Sequence, residues 1–289
     1  MTLLKPYLTL CRLTVSLFAA ASAATGFFLV HPYRISGAFG AAFAVFLLSS
    51  GASALNQYQE RDLDAKMERT RTRPLPSESI AASQAMAFSL ALVLAGLAFL
   101  AYAGGAKAAF LGLFALVWYN GLYTYLKKTT AFAAVPGAVV GMVPPAIGWV
   151  SAGGALFDPR IAAVCFIFFM WQIPHFWLLL LDRGEEYEQA GLPSLIRVMS
   201  RPQIGRVTFA WIVAAAIAGL SLPLYGSIRS PVVYMLLIPS AGWLIWSGKT
   251  LTGKRADGSL SSVLFKRINI YLILVMSLLS LENIFFPNP

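Results

Sequence analysis

Eight stretches of this chain run 19 residues or more without Asp, Glu, Lys or Arg: 13–33, 35–59, 79–106, 108–126, 129–157, 161–181, 207–228 and 230–248. About 20 apolar residues in an α-helix cross the hydrocarbon core of a bilayer, and there only helices and closed barrels satisfy their own backbone polar groups. The repeated absence of charge therefore points to a helical membrane bundle. A ninth charge-free stretch, 268–281, is short. Apolar sequence continues past Glu282 into Asn283-Ile284-Phe285-Phe286, which predicts a last span near 267–286. With 58% hydrophobic and 12% charged residues, an ordinary soluble domain is excluded. Ala21-Ser22-Ala23-Ala24 looks like a signal-peptide cleavage site. However, the apolar run Thr14–Val30 is longer than a signal core and follows Arg12 directly, so it reads as the first span. Cys11 and Cys165 lack metal-ligand spacing and imply no disulfide.

Nine spans put the termini on opposite sides, and the basic residues test the arrangement. The N-terminus and the second, fourth, sixth and eighth connections carry 2, 5, 2, 4 and 5 Lys or Arg, against one each (Arg34, Lys107, Arg160, Arg229) in the odd connections. This alternation predicts a cytoplasmic N-terminus by the positive-inside rule. Much of the net charge of +10 is then an orientation signal and an attraction to anionic lipid, rather than a nucleic-acid surface.

Against that apolar background, residues 56–76 hold nine of the chain's 34 charged residues. A second acidic cluster, Asp182-Arg183-Gly184-Glu185-Glu186-Tyr187-Glu188, follows span six as the first follows span two. Both spans are even-numbered, so both clusters belong to one face. Asn56, Glu60 and Asp64 are spaced i, i+4, i+8, and on a continuing helix they form one column. Oxygen ligands in such a column suit a hard cation such as Mg²⁺, which shares its other positions with water and phosphate. Without a cation, carboxylates about 4 Å apart repel by roughly 4 kcal/mol at intermediate dielectric. The bland alternative is a solvated loop with local ion pairs such as Asp62–Lys66. A second acidic cluster on the same face favours a metal–diphosphate site. Arg69, Arg71 and Arg73 alternate beyond the carboxylates, where Pro74 predicts an extended approach. Guanidinium groups match phosphate oxygens. Lys127 and Lys128 belong to the same face, Lys128 as an interfacial anchor.

Spans four and six are rich in aromatic residues. Most read as helix packing or interface belt; Tyr119 and Tyr123, a helical turn apart, are candidates to face a carbocation. His31 reads as interfacial. His175 lies in Trp171-Gln172-Ile173-Pro174-His175-Phe176-Trp177, where Pro174 interrupts the backbone ladder and freed polar groups usually line a cavity. Its alternatives are a helix-packing histidine and a substrate or haem contact.

These motifs resemble the UbiA-type intramembrane prenyltransferases, and within them the protoheme IX farnesyltransferase (haem O synthase) branch. The likeness rests on Asn56–Leu75, Tyr119–Thr129, Gly141–Trp149 with Pro144-Pro145, Trp171–Trp177 and Glu186–Pro193. The resemblance implies an all-α integral membrane protein with nine transmembrane helices around a central cavity. Residues 1–289 would form a single prenyltransferase domain, capped by acidic cytoplasmic connections at 56–78 and 182–203. It implies Mg²⁺-dependent transfer of farnesyl from farnesyl diphosphate to a vinyl group of haem B in the cytoplasmic membrane. A haem A synthase or terminal oxidase would be the assembly partner. Carried over by position, Asn56, Glu60 and Asp64 hold Mg²⁺–diphosphate from one side and Glu186 from the other. Arg69 and Arg73 bind diphosphate, and His175 contacts or orients the porphyrin; Lys127, Tyr119 and Tyr123 join the substrate-binding candidates on their positions alone. The superfamily pattern is Asn-Asp-x-x-Asp-x-x-x-Asp, whereas this chain has Gln57 and Glu60 at the first two acidic places, and Glu186 replaces the usual Asp of the second motif. Two rival functions remain at this stage: prenylation of a quinone precursor or other aromatic acceptor, and ion-coupled transport.

Overall fold

The computed structural model describes residues 4–253 and 258–286, and no strand occurs among them. Lys254 and Arg255 of the eighth connection, and the ends of the 1–289 domain, lie outside the described residues. Seven helical segments are long and apolar enough to cross a membrane, and an eighth is formed if the bent pair α1 (Leu4–Leu10) and α2 (Leu13–Phe28) counts as one span. The others are built from α3 (Ile35–Asp64), α4 (Ala82–Leu116) with its continuation to Leu126, the pair α6 (Ala134–Gly137) and α7 (Val139–Ser151), α8 (Pro159–Gln189), α10 (Arg201–Leu220), α11 (Pro231–Gly248) and α12 (Gly258–Phe285). Short α5 (Thr124–Leu126) and α9 (Leu195–Val198) complete the order.

The α4 segment is not one rod. Gly105 takes φ 75°, ψ −179°, which only glycine adopts without strain, and the helix reverses there. A methyl on Gly112 would lie 3.4 Å from Leu97, although 15 residues of straight helix would separate those positions by about 22 Å. The chain has doubled back.

Charge-free runs mark the hydrocarbon, not the ends of helices, and this explains three differences from the sequence expectation. Span six does not stop at 181: α8 continues to Gln189, so the acidic cluster 182–188 rides on a helical extension rather than a loop. The seventh helix starts at Arg201, ahead of the expected 207, because Ser200 and Gln203 cap it (Ser200 N–H to Gln203 Oε1, 2.8 Å). It ends at Leu220, before the 3₁₀ turn Leu222–Tyr225 and a left-handed Gly226. The last helix begins at 258 rather than 267.

Helices α2 and α7 cross in close contact. A methyl on Gly148 would overlap the carbonyl oxygen of Ala23, and one on Gly26 that of Pro145, so the two backbones touch directly. Such close approach by small residues is how helices pack where lipid removes the hydrophobic drive. Beside this crossing the fully buried Trp149 donates Nε1–H to Ala155 O at 2.8 Å. Cys11 and Cys165 are both free.

Candidate active site

Because α3 runs unbroken to Asp64, Asn56, Glu60 and Asp64 do form a column, each at most 5% exposed. Burying two carboxylates so thoroughly requires partners. Lys127 faces Glu60, both of whose oxygens lie against the ammonium; Oε2 accepts its hydrogen bond, while Oε1 is buried without a donor in hydrogen-bonding geometry. Arg73 Nη1 donates to Asp64 Oδ2 at 2.7 Å. Asn56 commits its Nδ2 to Thr124 Oγ1 at 3.0 Å, which leaves Oδ1 as its free oxygen. The Asp62–Lys66 pair of the bland alternative does not occur among the described residues; Asp62, exposed, lies 3.8 Å from Arg61.

Lys127 reaches Glu60 through a feature the sequence did not reveal. Val117–Tyr123 is a π-helix, a wide i→i+5 turn that leaves backbone carbonyls without their α-helical partners. Thr124 Oγ1 donates to Tyr119 O (2.9 Å), and Gln59 Nε2 to Asn120 O (3.1 Å). Asn120 returns the contact, donating Nδ2 to Ala52 O (3.0 Å) and Gln59 Oε1 (3.1 Å). Two amide side chains thus fasten the π turn to α3 just before Lys127.

Residues 66–80 fold as tight turns rather than the extended approach expected before Pro74. Thr70 N–H and Arg71 N–H both bond Met67 O, Arg73 N–H bonds Thr70 O, and Ser77 N–H bonds Arg73 O. The Thr70 hydroxyl anchors the turn to Asp64 O at 2.8 Å. These bonds bend the chain so that Arg73 returns to Asp64, a local closure that outweighs the bias of the pre-proline position. Arg69 donates its backbone N–H to Glu186 Oε1 at 2.8 Å, tying the first connection to the extension of α8. A cleft of about 660 Å³ separates the two, lined by Lys66, Arg69, Arg71, Arg183, Glu185 and Glu186 among others. Arg69 is reachable by solvent yet crowded. Partial burial lowers its pKa from the ordinary guanidinium value; Arg73 and Arg183 add to this and Glu186 opposes it. Burial likewise lowers Lys127, against the pull of Glu60.

The column and Glu186 are therefore on facing elements but not in one shell. Among the described residues, no three acidic, His or Cys side chains converge on a point. The donor set still fits a hard cation: Asn56 Oδ1 accepts no hydrogen bond among the described residues, and the Glu60 and Asp64 carboxylates, held by the exchangeable cations Lys127 and Arg73, are oxygens of the type Mg²⁺ takes.

From Lys127 a wall of rings leads into the bundle. Its ammonium lies 5.8 Å from the Tyr123 centroid; Tyr123 stacks on Tyr119 and Phe176, both at 5.9 Å. Phe176 meets His175 edge-on at 5.7 Å. His175 sits between Trp171 and Phe265, each 4.6 Å away, and Trp171 stacks on Phe18 at 5.5 Å. Tyr119, Tyr123, Lys127 and His175 are thus joined along one surface. Lys128, exposed over Tyr125, takes no part.

The UbiA prenyltransferase family matches residues 12–271. The chain belongs to that family. It is 42% identical over 224 residues to a protoheme IX farnesyltransferase of Geobacter sulfurreducens, covering 76% of this chain and 81% of the relative. A protein of the same name from Oleidesulfovibrio alaskensis is 36% identical over 279 residues, covering 96% and 95%. Among solved structures, a digeranylgeranylglyceryl phosphate synthase superposes with TM-score 0.79 at 19% identity, covering 99% of this chain and 100% of the other. A UbiA homologue from Archaeoglobus fulgidus bound to GPP and Mg²⁺ gives 0.66 at 14% identity, covering 95% and 99%. This prenyltransferase is thus a multi-pass membrane enzyme of UbiA-type fold, and family membership sets the transporter alternative aside.

Two further residues bear on the site without having been legible as functional. Arg12 sits at the left-handed break between α1 and α2 (φ 46°, ψ 56°), and its guanidinium reaches the Tyr119 hydroxyl. Gln57, the departure from the superfamily pattern, serves that break: its Nε2 donates to Leu10 O at 2.9 Å, a carbonyl at the end of α1. Only the polarity of Gln57 in a charge-free stretch hinted at such a role.

Proposed function

We propose that this enzyme transfers farnesyl from farnesyl diphosphate to a vinyl group of haem B, giving haem O, with Mg²⁺ at the diphosphate. The observation that carries this is the ring wall joining the carboxylate column to His175, since it links a site suited to a diphosphate with one suited to a planar macrocycle. The Archaeoglobus fulgidus homologue bound to GPP and Mg²⁺ supports the donor side, and the relatives named protoheme IX farnesyltransferase support the acceptor.

Asn56, Glu60 and Asp64 would hold Mg²⁺ from one side and Glu186 from the other; when bound, the ion neutralises the leaving diphosphate. Arg69 and Arg73 bind diphosphate oxygens and stabilise the charge that develops there. Lys127 and Arg73, now on Glu60 and Asp64, turn to phosphate as the donor binds. Tyr119, Tyr123 and Phe176 present π faces to the allylic cation and keep water away while the C1–O bond breaks. The vinyl terminal carbon then bonds to C1. Water adds to the benzylic-type cation left on the porphyrin and loses a proton, giving the hydroxyethylfarnesyl group. His175 orients the macrocycle.

The same proposal includes the topology. The fold-back at Gly105 supports dividing 82–126 into two spans, which makes nine around a central cavity. The alternating basic residues support a cytoplasmic N-terminus and an active site facing the cytoplasm of the cell membrane, in one domain over 1–289. Membrane lipid surrounds it, and a haem A synthase or terminal oxidase would receive the product. The test is direct: purified protein with Mg²⁺, farnesyl diphosphate and haem B should yield haem O by mass spectrometry. Product from an aromatic acid and none from haem would replace this acceptor with a quinone precursor.

A further inference from the structure

His175 Nδ1 lies 3.0 Å from Asn269 Oδ1, across from α8 to α12. The amide orientation is fixed independently, because Asn269 Nδ2 donates to Phe265 O at 2.7 Å. With its N–H₂ group committed to the backbone, Asn269 offers His175 only an acceptor. The imidazole must therefore carry its proton on Nδ1, and Nε2 keeps its lone pair. Nε2 makes no hydrogen bond among the described residues, and the ring geometry directs it away from Asn269.

Three neighbouring contacts hold the ring in this state. Trp171 Nε1 donates to Ile268 O at 3.0 Å, one residue before Asn269, so α8 and α12 are pinned on both sides of the imidazole. Trp171 and Phe265 close over the ring from two sides at 4.6 Å. A rotation that exchanged the two nitrogens would lose the Asn269 bond inside a ring-lined slot. A histidine serving only to pack two helices would need no such fixed free nitrogen.

We propose that Asn269 is a positioning residue for the haem acceptor: it locks His175 in the Nδ1–H form, so that Nε2 is presented as an axial ligand to the haem iron. This rests on haem being the acceptor. An outer partner of this kind orients a ligating histidine and raises its basicity, and its loss typically costs 10- to 100-fold in affinity. The iron is not the reacting centre; its ligation fixes the height and rotation of the macrocycle beneath the vinyl group that is to be attacked.

The test is ferric-haem titration of the detergent-purified full chain, followed by optical and EPR spectra, with farnesyl diphosphate affinity measured on the same samples as a check of the fold. The wild-type protein should give a histidine-ligated spectrum that His175→Ala abolishes. Asn269→Leu should weaken haem binding about tenfold or more and alter the spectrum while donor affinity is kept. Asn269→Asp, which retains the acceptor, should restore ligation. An Asn269→Leu protein with wild-type haem affinity and spectrum would overturn the proposal, as would a wild-type spectrum unchanged by His175→Ala. Wild-type protein that binds farnesyl diphosphate but no haem would instead overturn the acceptor reading, and this proposal with it.

Discussion

The two ends of the ring wall are built by different physics. At the donor end, charge is met by charge at Glu60–Lys127 and Asp64–Arg73, and Glu186 accepts from the Arg69 backbone N–H. Around His175 the neighbours are three aromatic rings and one amide. Ion pairs can exchange partners when a stronger one arrives, whereas ring packing cannot be exchanged without opening the bundle. Under the proposed function, this would let the donor end rearrange around a metal and a diphosphate. The acceptor end would be preorganised for a rigid plane.

The sharpest way to break this contrast is to remove donor-end charge while keeping shape. Asp64→Asn and Glu186→Gln should each lower farnesyl transfer by about a thousandfold, read by single-turnover mass spectrometry, with the protein still folded in the membrane. Full transfer in both variants would dissolve the two-sided donor site. Exchange of partners has its own signature in Lys127→Met, which leaves Glu60 buried without its cation. Thermal stability should fall by about 3–5 kcal/mol, and added Mg²⁺ should recover more of it than it adds to the wild type. Equal Mg²⁺ shifts in both proteins would mean that the metal does not take over Glu60.

At the acceptor end, Trp171→Leu should raise the KM for haem about tenfold, roughly 1.4 kcal/mol, and leave that for farnesyl diphosphate unchanged. A change in both constants would merge the two ends into one site. The smallest effect belongs to Lys128→Ala: transfer should stay within about twofold of wild type, since an exposed lysine at the interface contributes little. A loss like that of Lys127 would extend the donor end beyond the wall.

Legibility followed the same division. The column at Asn56, Glu60 and Asp64 could be read because spacing of four on a helix is a local property. The facing of the two acidic segments followed from counting spans. The partners of the column could not be read: Lys127 arrives through a π turn, and Arg73 through a run of tight turns, where the chain before Pro74 suggested an extended approach. Gln57 looked like a lost ligand but holds the break beside Arg12, and nothing in a charge-free stretch announces a left-handed residue. Asn269 lay outside the motifs that carried the resemblance, so its pairing with His175, 94 residues away, required the folded chain.

The π turn at Val117–Tyr123 has one more consequence. Each residue advances an α-helix by about 100°, and a π turn absorbs one residue more than an α turn before the direction is regained. Were the segment wound as ordinary α-helix at its present length, everything after it would swing by about 100°. Lys127 would then turn away from Glu60 with its chemistry intact. The donor end therefore depends on how the backbone is wound as much as on charge.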